Sequence, residues 1–88
     1  MGDVAATMKV MPTSPEVDLD VLSSDIEAAL PDGGSLRAVE HEDVAFGLVA
    51  LLASIIVADA EGGTEAVEAA IADLEDVESV TVENVGRL

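Results

Sequence analysis

The sequence predicts an α+β domain in which four strands form an antiparallel sheet and two helices cover one of its faces. Three observations predict this fold class. Several segments carry apolar residues at every second position, as half-buried strands do. Two other segments carry apolar residues at helical spacing behind a polar capping residue. The segments follow the order β-α-β-β-α-β, and 88 residues leave room for one two-layered core, so we expect residues 1–88 to form a single domain.

The first strand is predicted from Asp3 to Met11, where the even-numbered residues are apolar: Val4, Ala6, Met8 and Val10. Pro12 to Pro15 has the composition of a turn. Asp18 then caps a helix with apolar residues at helical spacing, namely Leu19, Leu22, Ile26, Ala29 and Leu30. The segment Pro31-Asp32-Gly33-Gly34 ends this helix.

The second strand is predicted from Leu36 to Glu42, and the third from Phe46 to Ala58. In the second strand we expect two opposed sets of side chains, with Leu36, Ala38 and Glu40 on one face and Arg37, Val39 and His41 on the other. Asp43 to Ala45 is expected to form a short turn between the strands. The third segment is apolar enough for a helix, but its β-branched residues favour a strand.

The second helix follows a connection at Asp59–Gly63, and a fourth strand completes the chain. Thr64 is the predicted cap, with acidic residues in the first turn and an apolar stripe of Val67, Ala70, Ile71 and Leu74. Val77 to Val85 alternates, with Val80 and Val82 opposed to Ser79, Thr81 and Glu83. Gly86-Arg87-Leu88 then forms the carboxyl-terminal tip. The whole pattern is that of the split β-α-β, or ferredoxin-like, fold, which hosts many functions.

Charge excludes several kinds of partner. Three basic residues against nineteen acidic ones give a net charge of -16, without a basic stripe for a phosphate backbone or an anionic membrane. The high apolar content argues against disorder. An acidic surface on a folded core is typical of adaptation to molar salt, where the Debye length is about 3 Å. We therefore expect a stability that falls when salt is removed.

Few side chains offer catalytic or ligand chemistry. Cysteine is absent, and the single histidine, His41, has no nucleophile at a motif spacing, so a solvated strand-edge histidine is expected. The Gly33-Gly34 and Gly62-Gly63 pairs match no phosphate-binding motif. The acidic cluster at 73–78 lacks the spacing of a calcium loop. We expect no enzymatic activity, no cofactor and no metal site.

The amino terminus and the long apolar run bear on localisation. Met1-Gly2-Asp3 lacks the basic and hydrophobic regions of a secretory signal. The apolar run Val44 to Ala58 is shorter than the roughly 20 residues that a membrane-spanning helix needs. We therefore expect a cytoplasmic protein.

Several segments, in this order, resemble the archaeal elongation factor 1-beta family over the whole chain. They are Gly2-Asp3-Val4, Lys9-Val10-Met11-Pro12, Ala45-Phe46-Gly47-Leu48, the stretch from Val57 to Thr64, Val77-Glu78-Ser79-Val80 and the ending Arg87-Leu88. The resemblance implies a guanine nucleotide exchange factor, expected to be monomeric, that acts on elongation factor 1-alpha and supports aminoacyl-tRNA delivery.

The resemblance also implies where the partner binds. In the family a basic penultimate residue reaches the partner's magnesium and phosphate region, and a phenylalanine before a glycine contacts the partner. The matching partner-binding residues are Arg87, followed by Leu88, and Phe46, followed by Gly47. Many relatives have lysine at the position of Val49 and at the penultimate position.

Without the resemblance, other interpretations stay open. Phe46 alone would be assigned to the core, and Arg87 to balancing nearby acid. The alternative function is that of a small ligand-binding or regulatory domain of the same fold, and a purely structural subunit is a further one.

Overall fold

The computed structural model describes residues 3–30, 34–58 and 63–87. Its element order confirms the predicted fold class. The elements are β1 (Asp3–Pro12), α1 (Leu19–Ala29), β2 (Gly34–Ala45), β3 (Leu48–Ala58), α2 (Gly63–Ala72) and β4 (Val77–Arg87). In the sheet the strands lie in the order β2-β3-β1-β4, and every neighbouring pair is antiparallel.

The core lies between one face of this sheet and the two helices, and its side chains are aliphatic or methionine. β1 and β3 supply matched pairs across the centre of the sheet, among them Met8 opposite Ala53 and Val10 opposite Leu51. The largest fully buried side chains are Met8, Leu22, Ile26, Leu51, Ile55, Ile71, Val10 and Val67. Among the described residues no polar or charged side chain is buried. The period-two prediction for β1 and the apolar stripes predicted for both helices are confirmed.

Asp18 caps α1 as predicted. Its side chain accepts hydrogen bonds from the backbone N–H groups of Asp20 at 3.0 Å and Val21 at 3.3 Å. These bonds satisfy two donors that have no partner within the helix. α2 begins at Gly63, one residue before the predicted cap Thr64. The predicted helix stop at Pro31–Gly33 and the connection at 59–62 lie outside the described residues. No helix in the described part of the chain is long and apolar enough to cross a membrane.

The turn between β2 and β3 lies three residues later than predicted. Asp43, Val44 and Ala45 belong to β2, and the turn is formed by Phe46 and Gly47, so β3 begins at Leu48. The reason is backbone geometry, since Gly47 has φ +81° and lets the chain reverse direction there. Continued pairing with β3 also gives the last residues of β2 backbone hydrogen-bond partners.

A bulge in β2 makes the predicted assignment of its side chains to the two faces of the sheet wrong at Leu36. The register changes between Leu36 and Ala38, so that Arg37 has no direct partner on β3. As a result Leu36 lies opposite Ile55 on the helix-covered face, together with Val39, whereas the alternation predicted it on the other face with Ala38. The extra residue allows both apolar side chains to pack against the core.

The strand pairing of the described residues contains four extra residues, and they lie on the two edge strands. They are Arg37 and Val44 on β2, and Glu78 and Glu83 on β4. The pairing of the two central strands, β1 with β3, runs without interruption from Asp3 to Val10. Bulges of this kind increase the local twist and bend the strand that carries them.

The face of the sheet away from the helices carries an ion pair. Lys9 Nζ on β1 lies 3.0 Å from Glu42 Oε1 on β2, so the pair spans the intervening strand β3. Ala50 of β3 lies directly opposite Glu42 and is fully buried, although it faces away from the helices. The long side chains of the ion pair explain this burial.

Candidate functional site

The β2–β3 hairpin turn is the first part of the candidate site. Ala45 and Leu48 are paired, so the loop between them has only two residues, and both have positive φ: +55° at Phe46 and +81° at Gly47. Positive φ at both positions is the signature of a type I′ turn, which usually carries Asn-Gly or Asp-Gly. Phenylalanine in this conformation is an outlier, because its Cβ crowds the backbone.

The side chain of Phe46 makes the turn more unusual still. It is the only aromatic residue of the chain, and 98% of its surface is exposed. Assignment of this side chain to the core, which its residue type alone would favour, is therefore wrong. An aromatic ring in a strained turn without packing in its own chain is typical of a residue that contacts another molecule.

A pocket lies beside the hairpin turn, and we call it the loop pocket. Its lining is mainly apolar: Pro12, Pro15, Val17, Leu19, Gly47 and Val49, with Ser14 as the polar member. The cavity volume is about 50 Å³, and the pocket is partly open to solvent. Gly47 and Val49 also line a shallower depression on the other side of the hairpin, next to Val44. Sequence reasoning missed the loop pocket, and the only available signal was the pair of prolines around a turn that precedes an apolar helix.

The end of β4 is the second part of the candidate site. Gly86 and Arg87 belong to the strand and pair with Ala5 and Val4 of β1, whereas the sequence predicted a strand that ends at Val85, with these residues in the carboxyl-terminal tip. Antiparallel pairing with a central strand gives these residues hydrogen-bond partners up to position 87. Leu88 lies outside the described residues.

The structure does not bring the two parts together. Arg87 lies opposite Val4 at the start of β1, whereas the hairpin turn lies beyond the end of β1, where Val10 is opposite Leu51. Pro12 lies eight positions after Val4 in the extended strand β1, which corresponds to about 27 Å at 3.4 Å per residue. Phe46 and Arg87 therefore lie at opposite ends of the sheet.

The remaining candidates from the sequence are the single histidine and the acidic side chains. His41 is exposed on the edge strand β2, as the sequence predicted. Within residues 3–30, 34–58 and 63–87, no group of three or more histidine or acidic side chains converges to hold a metal ion. Of the three basic residues of the chain, Lys9 forms an ion pair with Glu42 and Arg37 lies in the β2 bulge, so Arg87 is the one that belongs to the candidate site.

Comparison with known proteins connects this geometry to a family. Residues 5–88 match the family described as EF-1 guanine nucleotide exchange domain. Proteins named Elongation factor 1-beta from Halorubrum lacusprofundi and Haloarcula marismortui are each 60% identical to the chain over 88 residues, with 100% of both chains covered. The protein of that name from Methanothermobacter thermautotrophicus is 50% identical over 88 residues, or 100% of this chain and 99% of the relative.

These relatives confirm two predictions made from the sequence. The resemblance to archaeal elongation factor 1-beta extends over the full length, and the similarity to haloarchaeal proteins agrees with a salt-adapted acidic surface. The chain therefore belongs to the EF-1 guanine nucleotide exchange domain family and is a nucleotide exchange factor of translation elongation.

Proposed function

We propose that residues 1–88 act as one exchange domain that promotes release of GDP from elongation factor 1-alpha and so allows GTP to bind. The observation that carries this proposal at the level of residues is Phe46, exposed to 98% at a backbone φ of +55°. A strained and exposed aromatic residue persists when function needs it. Its binding partner in this proposal is the GTPase.

The proposed contact has two separate regions. Phe46 and Gly47 contact the GTPase at one end of the sheet, and Arg87 and Leu88 contact it at the other. Because the two ends are joined by uninterrupted pairing of β1 with β3, the sheet holds them at a fixed separation. Two contacts on one rigid body bind together more tightly than either alone, since the second forms at a high effective concentration.

Arg87 is the residue proposed to act near the nucleotide. A guanidinium is always charged and presents five donors, so it competes with a bound magnesium ion or binds phosphate oxygens in two-point geometry. A lysine at this position would act as a compact point charge instead. The position of Arg87 supports this role, because it is the last residue of β4 and pairs with Val4 at one end of the sheet.

Exchange in this scheme is negative coupling between two ligands of the GTPase. The factor binds the nucleotide-free GTPase more tightly than the GDP-bound form, and by reciprocity it weakens GDP by the same ratio. No covalent bond is made or broken, so we propose that the chain has no enzymatic chemistry of its own. We also propose that it acts as a monomer in the cytoplasm, without direct contact to nucleic acid.

The test is release of a fluorescent GDP analogue from the same organism's elongation factor 1-alpha in molar potassium chloride. Wild type is compared with Phe46→Ala, Arg87→Ala and the control Val21→Ala, which removes an apolar side chain that is 53% exposed on α1. We expect acceleration by wild type and control, and loss of most of it in both site variants. No acceleration by folded wild type would refute the proposed function, and full acceleration by one variant would remove that residue from the site.

A further inference from the structure

The loop pocket is not explained by folding alone. It lies where the hairpin turn meets the segment between β1 and α1. Its walls are mainly apolar side chains that are not fully buried in the core. Val17 and Leu19 pack against the core with only part of their surface, and Val49 is half-buried. Gly47 leaves one side of the pocket without a side chain. A Cβ at this position would lie 4.0 Å from Pro15 Cβ, across the pocket wall, and the φ of +81° disfavours any residue with a side chain.

We propose that the loop pocket receives an aliphatic side chain of the GTPase, from a segment that also carries basic residues. The proposal rests on the proposed function, and it extends the contact made by Phe46 to a second, concave surface. An apolar cavity of about 150 Å³ is large enough to bind benzene. The loop pocket, at about 50 Å³, has a third of that volume, so it has room for the terminal methyl groups of one aliphatic side chain but not for an aromatic ring.

Continuity with Phe46 supports this occupant. Gly47, which directly follows Phe46, forms part of the pocket wall, so the exposed ring and the pocket are at the same end of the sheet, although Phe46 itself does not line the pocket. A GTPase segment that packs against the ring passes over the mouth of the pocket. An exposed anchor next to a desolvated pocket is the usual arrangement of residues that dominate an interface.

Acidic residues around the pocket indicate that the GTPase segment bound there is basic. Glu16 lies between two lining residues, Pro15 and Val17, and Asp43 lies on the other flank of the hairpin, beside Gly47 and Val49. Both acidic residues are exposed, and neither forms an ion pair with another described side chain. In molar salt only charges in direct contact interact appreciably. The acidic rim therefore selects lysine or arginine that is immediately next to the inserted aliphatic side chain.

The experiment compares two pairs of matched variants. Val49→Phe fills the pocket, and Val21→Phe makes the same change at an exposed position of α1 outside it. Glu16→Lys reverses the charge of an acidic residue beside the pocket. Glu27→Lys makes the same reversal at an exposed position of α1 that does not line the pocket. The dissociation constant for the nucleotide-free GTPase and the rate of GDP release are measured in molar potassium chloride. Circular dichroism checks that each variant folds.

We expect at least tenfold weaker binding for Val49→Phe and severalfold weaker binding for Glu16→Lys, with both controls within twofold of wild type. If wild type accelerates GDP release but each variant equals its control, the pocket proposal is overturned and the proposed function stands. If folded wild type neither binds nor accelerates, the proposed function fails and this inference with it. Should Val49→Phe not fold, Glu16→Lys decides the question, and equality with Glu27→Lys refutes the inference.

Discussion

Replacing Phe46 by asparagine is expected to make the protein more stable and less active at the same time. A non-glycine residue in the left-handed region is disfavoured by about 1 to 2 kcal/mol, and asparagine tolerates that region better than phenylalanine does. Phe46 has φ +55° and is 98% exposed, so the substitution relieves strain and loses almost no buried surface. We expect a gain of about 1 kcal/mol, because Asn-Gly is a preferred type I′ pair.

For a chain of this size, 1 kcal/mol corresponds to a rise in melting temperature of about 4 to 8 °C. The assay is thermal unfolding followed by far-ultraviolet circular dichroism in molar potassium chloride, together with GDP release from the GTPase. Phe46→Ala is the control, since it removes the ring but leaves a non-glycine side chain without the local polar group of asparagine. It should lose activity without the full stabilisation. A melting temperature for Phe46→Asn at or below that of wild type would refute the assignment of strain to this turn.

Four further predictions concern stability. Ile26→Ala should lower the free energy of unfolding by about 2 to 5 kcal/mol in denaturant titration, because Ile26 is completely buried between helix and sheet; a loss below 1 kcal/mol would contradict that burial. Asp18→Ala should remove about 1 kcal/mol by thermal melting, since it leaves two helix N–H groups unsatisfied, whereas Asp18→Ser should retain most of it. Lys9→Met should change stability by less than about 1 kcal/mol, because the side chains of the ion pair are 28% and 44% exposed and molar salt screens them. Dialysis from molar to about 0.1 M salt should lower the melting temperature of wild type, because the Debye length grows to about 10 Å and nineteen acidic residues then repel one another; a melting temperature independent of salt would argue against salt adaptation.

The alternation and helical spacing of apolar residues were sufficient to predict the layers of the fold. Val4, Ala6, Met8 and Val10 all face the core, and Asp18 caps α1 as its residue type indicates. These features depend on periodicity and on local hydrogen bonding, both of which are contained in short segments. Their prediction therefore needs no knowledge of which strands pair.

Features that depend on pairing were harder to predict. The position of the β2–β3 turn depends on how far β2 stays paired, and phenylalanine is a rare residue for its first position. The bulge at Arg37 places Leu36 on the helix side, a shift that strict alternation cannot predict. For the site, the resemblance supplied Phe46 and Arg87 but not their separation, since only the register of β1 with β4 places them at opposite ends.

The location of the bulges has a consequence for self-association. Exposed edge strands are templates for pairing with another copy, and proteins usually protect them with charge or with irregular backbone. β2 carries three acidic residues and β4 carries two, but in molar salt repulsion between charges reaches only about 3 Å. Arg37, Val44, Glu78 and Glu83, the extra residues of these strands, interrupt the regular row of backbone donors and acceptors that a second sheet would need. Geometry of the edges, which salt does not screen, is therefore the protection against edge-to-edge aggregation that remains in a concentrated brine.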